Sequence, residues 1–257
     1  GSYGSATAIP AITVDAQGRV TAASTNNVVT GVTSDAQDNT VAGTNAGDSF
    51  SGTDATNNTL YGKNAGTAIT TGDNHVAIGK DALSTITTGS LSVAVGKDAL
   101  KLSTGGISTA VGTFAANAHT TGAYTTAVGY SALGAVTTGQ ANTGVGHQAG
   151  SSTTTASNNT AVGYNSLVLN TTGANNVAVG ASALDANTTG GSNTGIGKGA
   201  LGANTTGTAN FAGGTAALET NTTASNNTAL GYFALLSNTT GTNNVAVGAD
   251  ALDANTT

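Results

Sequence analysis

The sequence predicts an all-β protein, a parallel β-solenoid of 17-residue coils. Three observations predict it: a constant spacing between equivalent glycines, a period-two alternation inside each repeat, and turn-forming residues at fixed places. The equivalent glycines are Gly62, Gly79, Gly96, Gly112, Gly129, Gly146, Gly163, Gly180, Gly197, Gly214, Gly231 and Gly248. They lie 17 residues apart, except for one step of 16 between Gly96 and Gly112.

With positions counted from the first Thr of "TTG", these glycines occupy slot 10 of the consensus T-T-G-x-N-N-V-A-V-G-x-x-A-L-x-x-N. Twelve lines fit it, from Thr53 to Asn255. Slots 5 to 9, "NNVAV", alternate and are rich in β-formers, so each line supplies a short strand. Slots 1 to 3 and slot 10 supply corners where a residue without Cβ takes positive φ, which makes Gly79, Gly96, Gly129, Gly163, Gly180 and Gly248 the expected structural corners. Stacked at about 4.8 Å, twelve coils make a rod on the order of 58 Å long, and identical slots become columns. Asn at slot 6, from Asn142 to Asn244, and the Thr columns are suited to hydrogen-bonded ladders.

Slot 9, mostly Val or Ile, and slot 14, mostly Leu, are the expected dry interior. Slots 8 and 13 are almost uniformly Ala or Gly, as expected where something packs closely. A few small aliphatics per coil bury little surface, at about 25 cal/mol per Å², against the ordering entropy of a whole coil. A parallel homotrimer meeting at slots 8 and 13 would supply the missing burial.

Residues 1–52 keep no such register and read as a connector or cap that shields the first strand edge. Within them, residues 9–24, "IPAITVDAQGRVTAAS", alternate on both sides of an Asp15 to Arg19 turn and predict a β-hairpin. "NTVAGTNAG" at 39–47 suggests a degenerate coil. The solenoid is expected over 53–257, and Thr256 with Thr257 opens a further line, so it is expected to continue.

Composition narrows the chemistry. Charged residues make up 7 % of the 257, the net charge is −6, and aromatics are 4 %. An acidic chain without a basic face is a poor partner for nucleic acid. No apolar run reaches the roughly 18 residues of a membrane span, so no insertion is expected. The chain has no Cys to build a disulfide framework.

No catalytic constellation stands out. His75, His119 and His147 occupy slots 6, 17 and 11 of different lines, with no partner at metal-ligand spacing, so structural or surface roles are expected. Asp81, Asp98 and Asp250 share slot 12 without a calcium-loop pattern. Serines such as Ser131 lack a base and orienter. No enzyme activity, cofactor or metal is expected. Lys80 with Asp81 and Lys97 with Asp98 are expected surface ion pairs. Slot 11 changes character along the rod, and Tyr130, His147 and Tyr164 on successive coils are the candidate glycan-contact strip.

"NNVAVG", with "NHVAIG", "NTAVG" and "NTGIG", resembles the "NSVAIG" repeats in the heads of YadA-type trimeric autotransporter adhesins. That resemblance, over residues 53 to 255, implies a left-handed parallel β-roll with three chains to a head. The period of 17 and the added "NTTG" corner depart from it. Longer lines such as "NTAVGYNSLVLNTTGANN" resemble repeats of phage tail-fibre and virion-appendage proteins, and "ITVDAQGRVT" resembles an element common in phage tail fibres. Together these imply a trimeric tail-fibre segment in the virion that supports host-cell attachment. Its partners would be copies of itself, other fibre or virion proteins, and a host surface glycan or protein. The alternative is a cell-surface adhesin head on the bacterial outer surface. A minor alternative is an ice-binding β-solenoid, although Thr at slots 1 and 2 would point to opposite faces of a strand.

Overall fold

The structure, a computed structural model, describes residues 8–27 and 34–257, with backbone alone for 8–11 and 24–27. Strands β1 (Ala8–Val14) and β2 (Val20–Asn27) form an antiparallel hairpin. Its turn is held by the Asp15 carboxylate, which accepts the backbone N–H groups of Gln17 and Arg19 and pairs with Arg19 Nε at 2.7 Å. Those hydrogen bonds, the Arg19 backbone N–H first, hold the Asp15 carboxyl below its ordinary pKa. The same Asp-Ala-Gln turn recurs at Asp35, whose carboxylate accepts the N–H groups of Gln37 and Asn39, and it delivers the chain into the first strand of the main sheet.

That sheet has 13 parallel strands in unbroken sequence order, from β3 (Thr40–Ala42) to β15 (Val245–Val247). The coil stack therefore begins inside the segment "NTVAGTNAG". Each strand is three residues long, slots 7 to 9, and pairs with the same slots of the next: Thr160 with Val177, Ala161 with Ala178, Val162 with Val179. The described residues include no helix.

Corners pair from coil to coil as well. Leu83 N–H donates to Ala99 O at 3.1 Å, Asp81 N–H to Lys63 O at 2.9 Å, and Thr171 N–H to Thr188 O at 2.9 Å. Each of these bend groups finds its partner one coil away, which is why a chain this irregular along its length is regular along the rod.

Four positions per coil take positive φ. In the coil of Gly180 these are Asn175 (φ 62), Gly180 (φ 134), Ser182 (φ 54) and Leu184 (φ 52), in slots 5, 10, 12 and 14. Slot 3, read from sequence as another such corner, does not: the backbones lie close there, so that a Cβ on Gly173 would strike the Gly190 carbonyl, although Ala55, Ala156 and Ala224 hold the slot in other coils. Leu in slot 14 accepts a left-handed backbone because the turn aims its side chain into the core, where Leu184, Leu201, Leu218 and Leu235 are fully buried. Burying a Leu is worth about 1.5–3 kcal/mol, which outweighs the roughly 1–2 kcal/mol of a left-handed L-residue.

The interior of each coil holds slots 8, 13 and 14. Two expectations are corrected here. Slot 9 faces outward, with Ile78, Val111, Ile196 and Leu230 all exposed, because alternation puts slots 7 and 9 on one face and slot 8 on the other. The space left beside the slot-14 leucines is narrow, so the inward residue is the small one, as at Ala77, Ala94 and Ala178. Slots 8 and 13 are consequently buried within their own chain and cannot be where copies meet.

Core packing is complementary where the pattern lapses. Gly144 and Gly150 stand in slots held mostly by Ala and Leu, and a Cβ on either would lie 2.8 Å from the Leu133 side chain. Leu133 of the preceding coil leans into that space and is itself buried.

Candidate functional site

Two buried polar columns run beside slot 3. In slot 6, Asn176, Asn193, Asn210 and Asn227 each accept on Oδ1 the backbone N–H of the equivalent residue one coil on, at 2.9–3.0 Å. Each also donates from Nδ2 to the slot-3 carbonyl of the next coil, as Asn193 does to Gly207 O at 2.7 Å. In slot 17, Asn187, Asn204, Asn221 and Asn238 donate down their own column and to slot-3 carbonyls. The expected slot-6 ladder is present; the slot-17 ladder was missed, because Ile69, Ile86, Ser103, His119, Val136 and Thr153 hide it in the earlier coils. The Thr column expected to form a ladder does so too: Thr171 Oγ1 donates to Thr188 O and Thr188 Oγ1 to Thr205 O, both at 3.1 Å.

Two of the candidate histidines belong to these columns. His75 stands in slot 6 and reproduces the Asn pattern: Nδ1 accepts Ser92 N–H at 3.2 Å and Nε2 donates to Gly89 O at 2.6 Å. A backbone N–H only donates and a carbonyl only accepts, so the ring is the neutral Nε2–H tautomer. Burial lowers its pKa, opposed by the bonds to Gly89 and Ser92 and by Asp73. His119, in slot 17, is also buried and its pKa is lowered by burial; Nε2 has no partner among the described residues.

His147 lies on the surface strip in slot 11. Tyr130 stacks on it with ring centroids 5.3 Å apart and 14° between planes, and Tyr164 stacks on its other side at 5.4 Å and 17°. The three candidate glycan-contact residues are therefore brought together, but their faces are largely turned to one another. Phe114 meets Tyr130 edge-on at 6.0 Å, and Lys97 Nζ sits 4.8 Å above the Phe114 ring. Upstream, Lys80 pairs with Asp81 and Lys97 with Asp98, both at 3.4 Å, and Lys101 joins Asp98 at 3.0 Å. A hydrogen bond from Asn64 Nδ2, at 2.7 Å, is the main reason the Asp81 carboxyl lies below its ordinary pKa.

The expected corner glycines hold φ between 127 and 134 at Gly79, Gly96, Gly129, Gly163, Gly180 and Gly248. A Cβ at Gly79 would lie 2.5 Å from the Gly96 carbonyl oxygen, and one at Gly163 2.6 Å from that of Gly180. Conformation disfavours any other residue along this column, and contact does so as well up to Gly231, whereas a Cβ at Gly248 in the last coil would approach only Ala251, at 3.9 Å.

One outward face includes slot 9, which sequence reasoning placed inside. Slots 7 and 9 form a flat face along the sheet: Thr126 and Val128, Thr143 and Val145, Thr160 and Val162, Val177 and Val179, Thr194 and Ile196. Neither slot carries a charged residue in any coil from β4 (Thr59–Tyr61) to β15.

No protein-family model matches the chain, and no curated protein or solved structure does.

Proposed function

We propose that the chain is a non-enzymatic shaft segment of a trimeric phage tail fibre, which supports host-cell attachment by holding a contact surface away from the particle. The observation that carries this reading is the uncharged outer face of the sheet, on which slot 9 lines up aliphatic side chains beside the Thr and Val of slot 7. A face about 60 Å long at the 4.8 Å strand spacing, and about 10–15 Å wide, amounts to roughly 600–900 Å² per chain, close to the ~800 Å² per partner of a standard interface. Monomers seldom leave so long an apolar strip in water. Coil-to-coil pairing at the corners as well as in the sheet supports stiffness.

The test is location. Antibodies raised against the coils, with gold labels, are expected to decorate the fibres of the source particle in electron micrographs. Decoration of bacterial outer surfaces alone would replace this reading with that of an adhesin head.

One observation favours a second reading. Slot-1 threonine hydroxyls, from Thr120 to Thr239, are spent on carbonyls of the next coil, but Thr109, Thr126, Thr143 and Thr160 stand on four successive coils of the flat outer face beside valines. Such an array is a candidate ice-binding plane. Thermal hysteresis in a monomeric preparation would support it, and unaltered ice growth would remove it.

A further inference from the structure

Departures from the repeat gather in three successive coils. Slot 5 takes a left-handed backbone in every coil and elsewhere holds Asn, Ser or Ala, but here it holds Leu91 (φ 65), Ile107 (φ 56) and Tyr124 (φ 60). A β-branched residue such as Ile107 is an outlier in that conformation, and all three side chains are exposed, so burial does not offset the strain. The coil between Gly96 and Gly112 is one residue short, and its slot 14 holds Ala116 where most lines have Leu.

The buried slot-6 ladder lapses in the same place. Between His75, which reproduces the Asn pattern, and Asn142, slot 6 holds Ser92, Ser108 and Thr125. Their hydroxyls are too short to span the two partners that a carboxamide joins. Thr125 N–H meets Ser108 Oγ only at 3.4 Å, and Ser92 Oγ, Thr125 Oγ1 and His119 Nε2, all buried, have no partner among the described residues. Asn142 N–H therefore gains no acceptor from slot 6 of the coil before it. Each buried group left in this way weakens the contact between its own coils.

What continues is the sheet. Strands β6 (Val93–Val95), β7 (Thr109–Val111), β8 (Thr126–Val128) and β9 (Thr143–Val145) pair slot for slot, as elsewhere. The stack is thus held on the side of slots 7 to 9 and loosened on the side of slots 6 and 17. A surface depression of about 250 Å³ lined by Leu91, Ile107 and Tyr124 reaches down to Ser108 and Thr125, which brings solvent close to the lapsed rungs. In a solenoid each coil touches only its neighbours, so stability is local and the weakest contact yields first.

We propose that the coils from Leu91 to Thr125 form a compliant joint, at which the ladder side opens about the intact sheet while the coils beyond Asn142 stay closed. The joint is a property of one chain, so it goes beyond the shaft reading and stands without the trimer.

Hydrogen–deuterium exchange of the full chain, read peptide by peptide, tests it. Residues 91–125 are expected to exchange roughly ten- to a hundredfold faster than the equivalent residues 158–193, as one or two lost bonds imply at tenfold per 1.4 kcal/mol. Ser108→Asn, His119→Asn and Thr125→Asn together rebuild the rungs in arrangements found elsewhere, Asn176 with Asn187 and Asn58 with Ile69, and are expected to remove most of the difference. Asn176→Ser with Asn193→Ser copies the lapse into coils that lack it and is expected to speed exchange over 158–193 by a similar factor. Equal protection of the two stretches in the parent overturns the joint. So does a rebuilt variant, folded by circular dichroism, that leaves the difference unchanged. If the rebuilt variant does not fold, the Asn→Ser pair decides, and unchanged exchange over 158–193 overturns the joint. Each of these reversals leaves the shaft reading standing.

Discussion

His75 Nδ1 accepts the backbone N–H of Ser92, one coil on, at 3.2 Å, so the fold requires the neutral ring. Burial holds its pKa below the ordinary 6.5, and that of His119 as well. The unfolded chain takes up protons as pH falls through 6.5 while the folded chain resists, so the stability held by these rings is complete above 6.5 and declines as pH falls toward their lowered values. Melting temperatures measured from pH 8 to 5 (ordinary assay limits, about one and a half units either side of a free His) are expected to drop. The double variant His75→Asn with His119→Asn, which installs the residue that both ladders use elsewhere, is expected to flatten the drop. An equal drop in that variant would place the acid sensitivity elsewhere.

Asn193→Ala is expected to cost about 1.5–4.5 kcal/mol: about 1–3 kcal/mol for the buried Asn210 N–H that it strands and about 0.5–1.5 kcal/mol for the bond lost by Gly207 O, which keeps the one from Asn204 Nδ2 at 3.1 Å. Asn175→Ala, in the exposed neighbouring column, is expected to cost under about 1.5 kcal/mol, mainly for the left-handed backbone. Urea unfolding of the two variants side by side checks the contrast; equal losses would mean that the buried ladder is not what holds the coils.

Gly163→Ala is expected to lose at least about 3 kcal/mol or to abolish folding, since φ 131 is open to glycine and the new Cβ would sit 2.6 Å from Gly180 O. Asn165→Gly, two residues on at φ 52, is expected to change stability by under about 1 kcal/mol. Chemical denaturation of both, with circular dichroism as readout, separates them.

The Tyr130, His147 and Tyr164 stack bears on glycan contact through its ends. Both faces of His147 are covered, whereas Tyr164 is 58 % exposed and is followed in slot 11 by Ala181 on the next coil. If the strip takes a sugar, Tyr164→Ala is expected to abolish signal on a glycan array and Tyr130→Ala to reduce it less. Equal effects would show that ring faces are not the contact.

What sequence reasoning reached and missed follows from which physical features leave a periodic trace. The glycine column at Gly79 through Gly248 and the slot-14 leucines leave a clear trace, the glycines at positive φ and Leu83, Leu184 and Leu235 buried, whereas the strand expected over slots 5 to 9 is confined to slots 7 to 9, because slot 5 takes a left-handed backbone. Period-two alternation does not say which of its two faces is inside, so hydrophobicity alone points Val179 into the core although Ala178 occupies it. The adjacent pair Asn175 and Asn176 looks uniform in text, yet one takes φ 62 at the surface and the other is a buried ladder rung. Leu91, Ile107 and Tyr124 are exceptions to the repeat, and their place in a left-handed slot becomes visible only with the backbone in view.

In the proposed trimer, copies of the chain meet through the outer face of slots 7 and 9. Light scattering at micromolar concentration measures this most directly. The expected result is three times the 24.4 kDa chain mass, falling to one when Val128→Lys and Val162→Lys place charges on that face. A parent mass of 24.4 kDa, or a trimer indifferent to those charges, would contradict it.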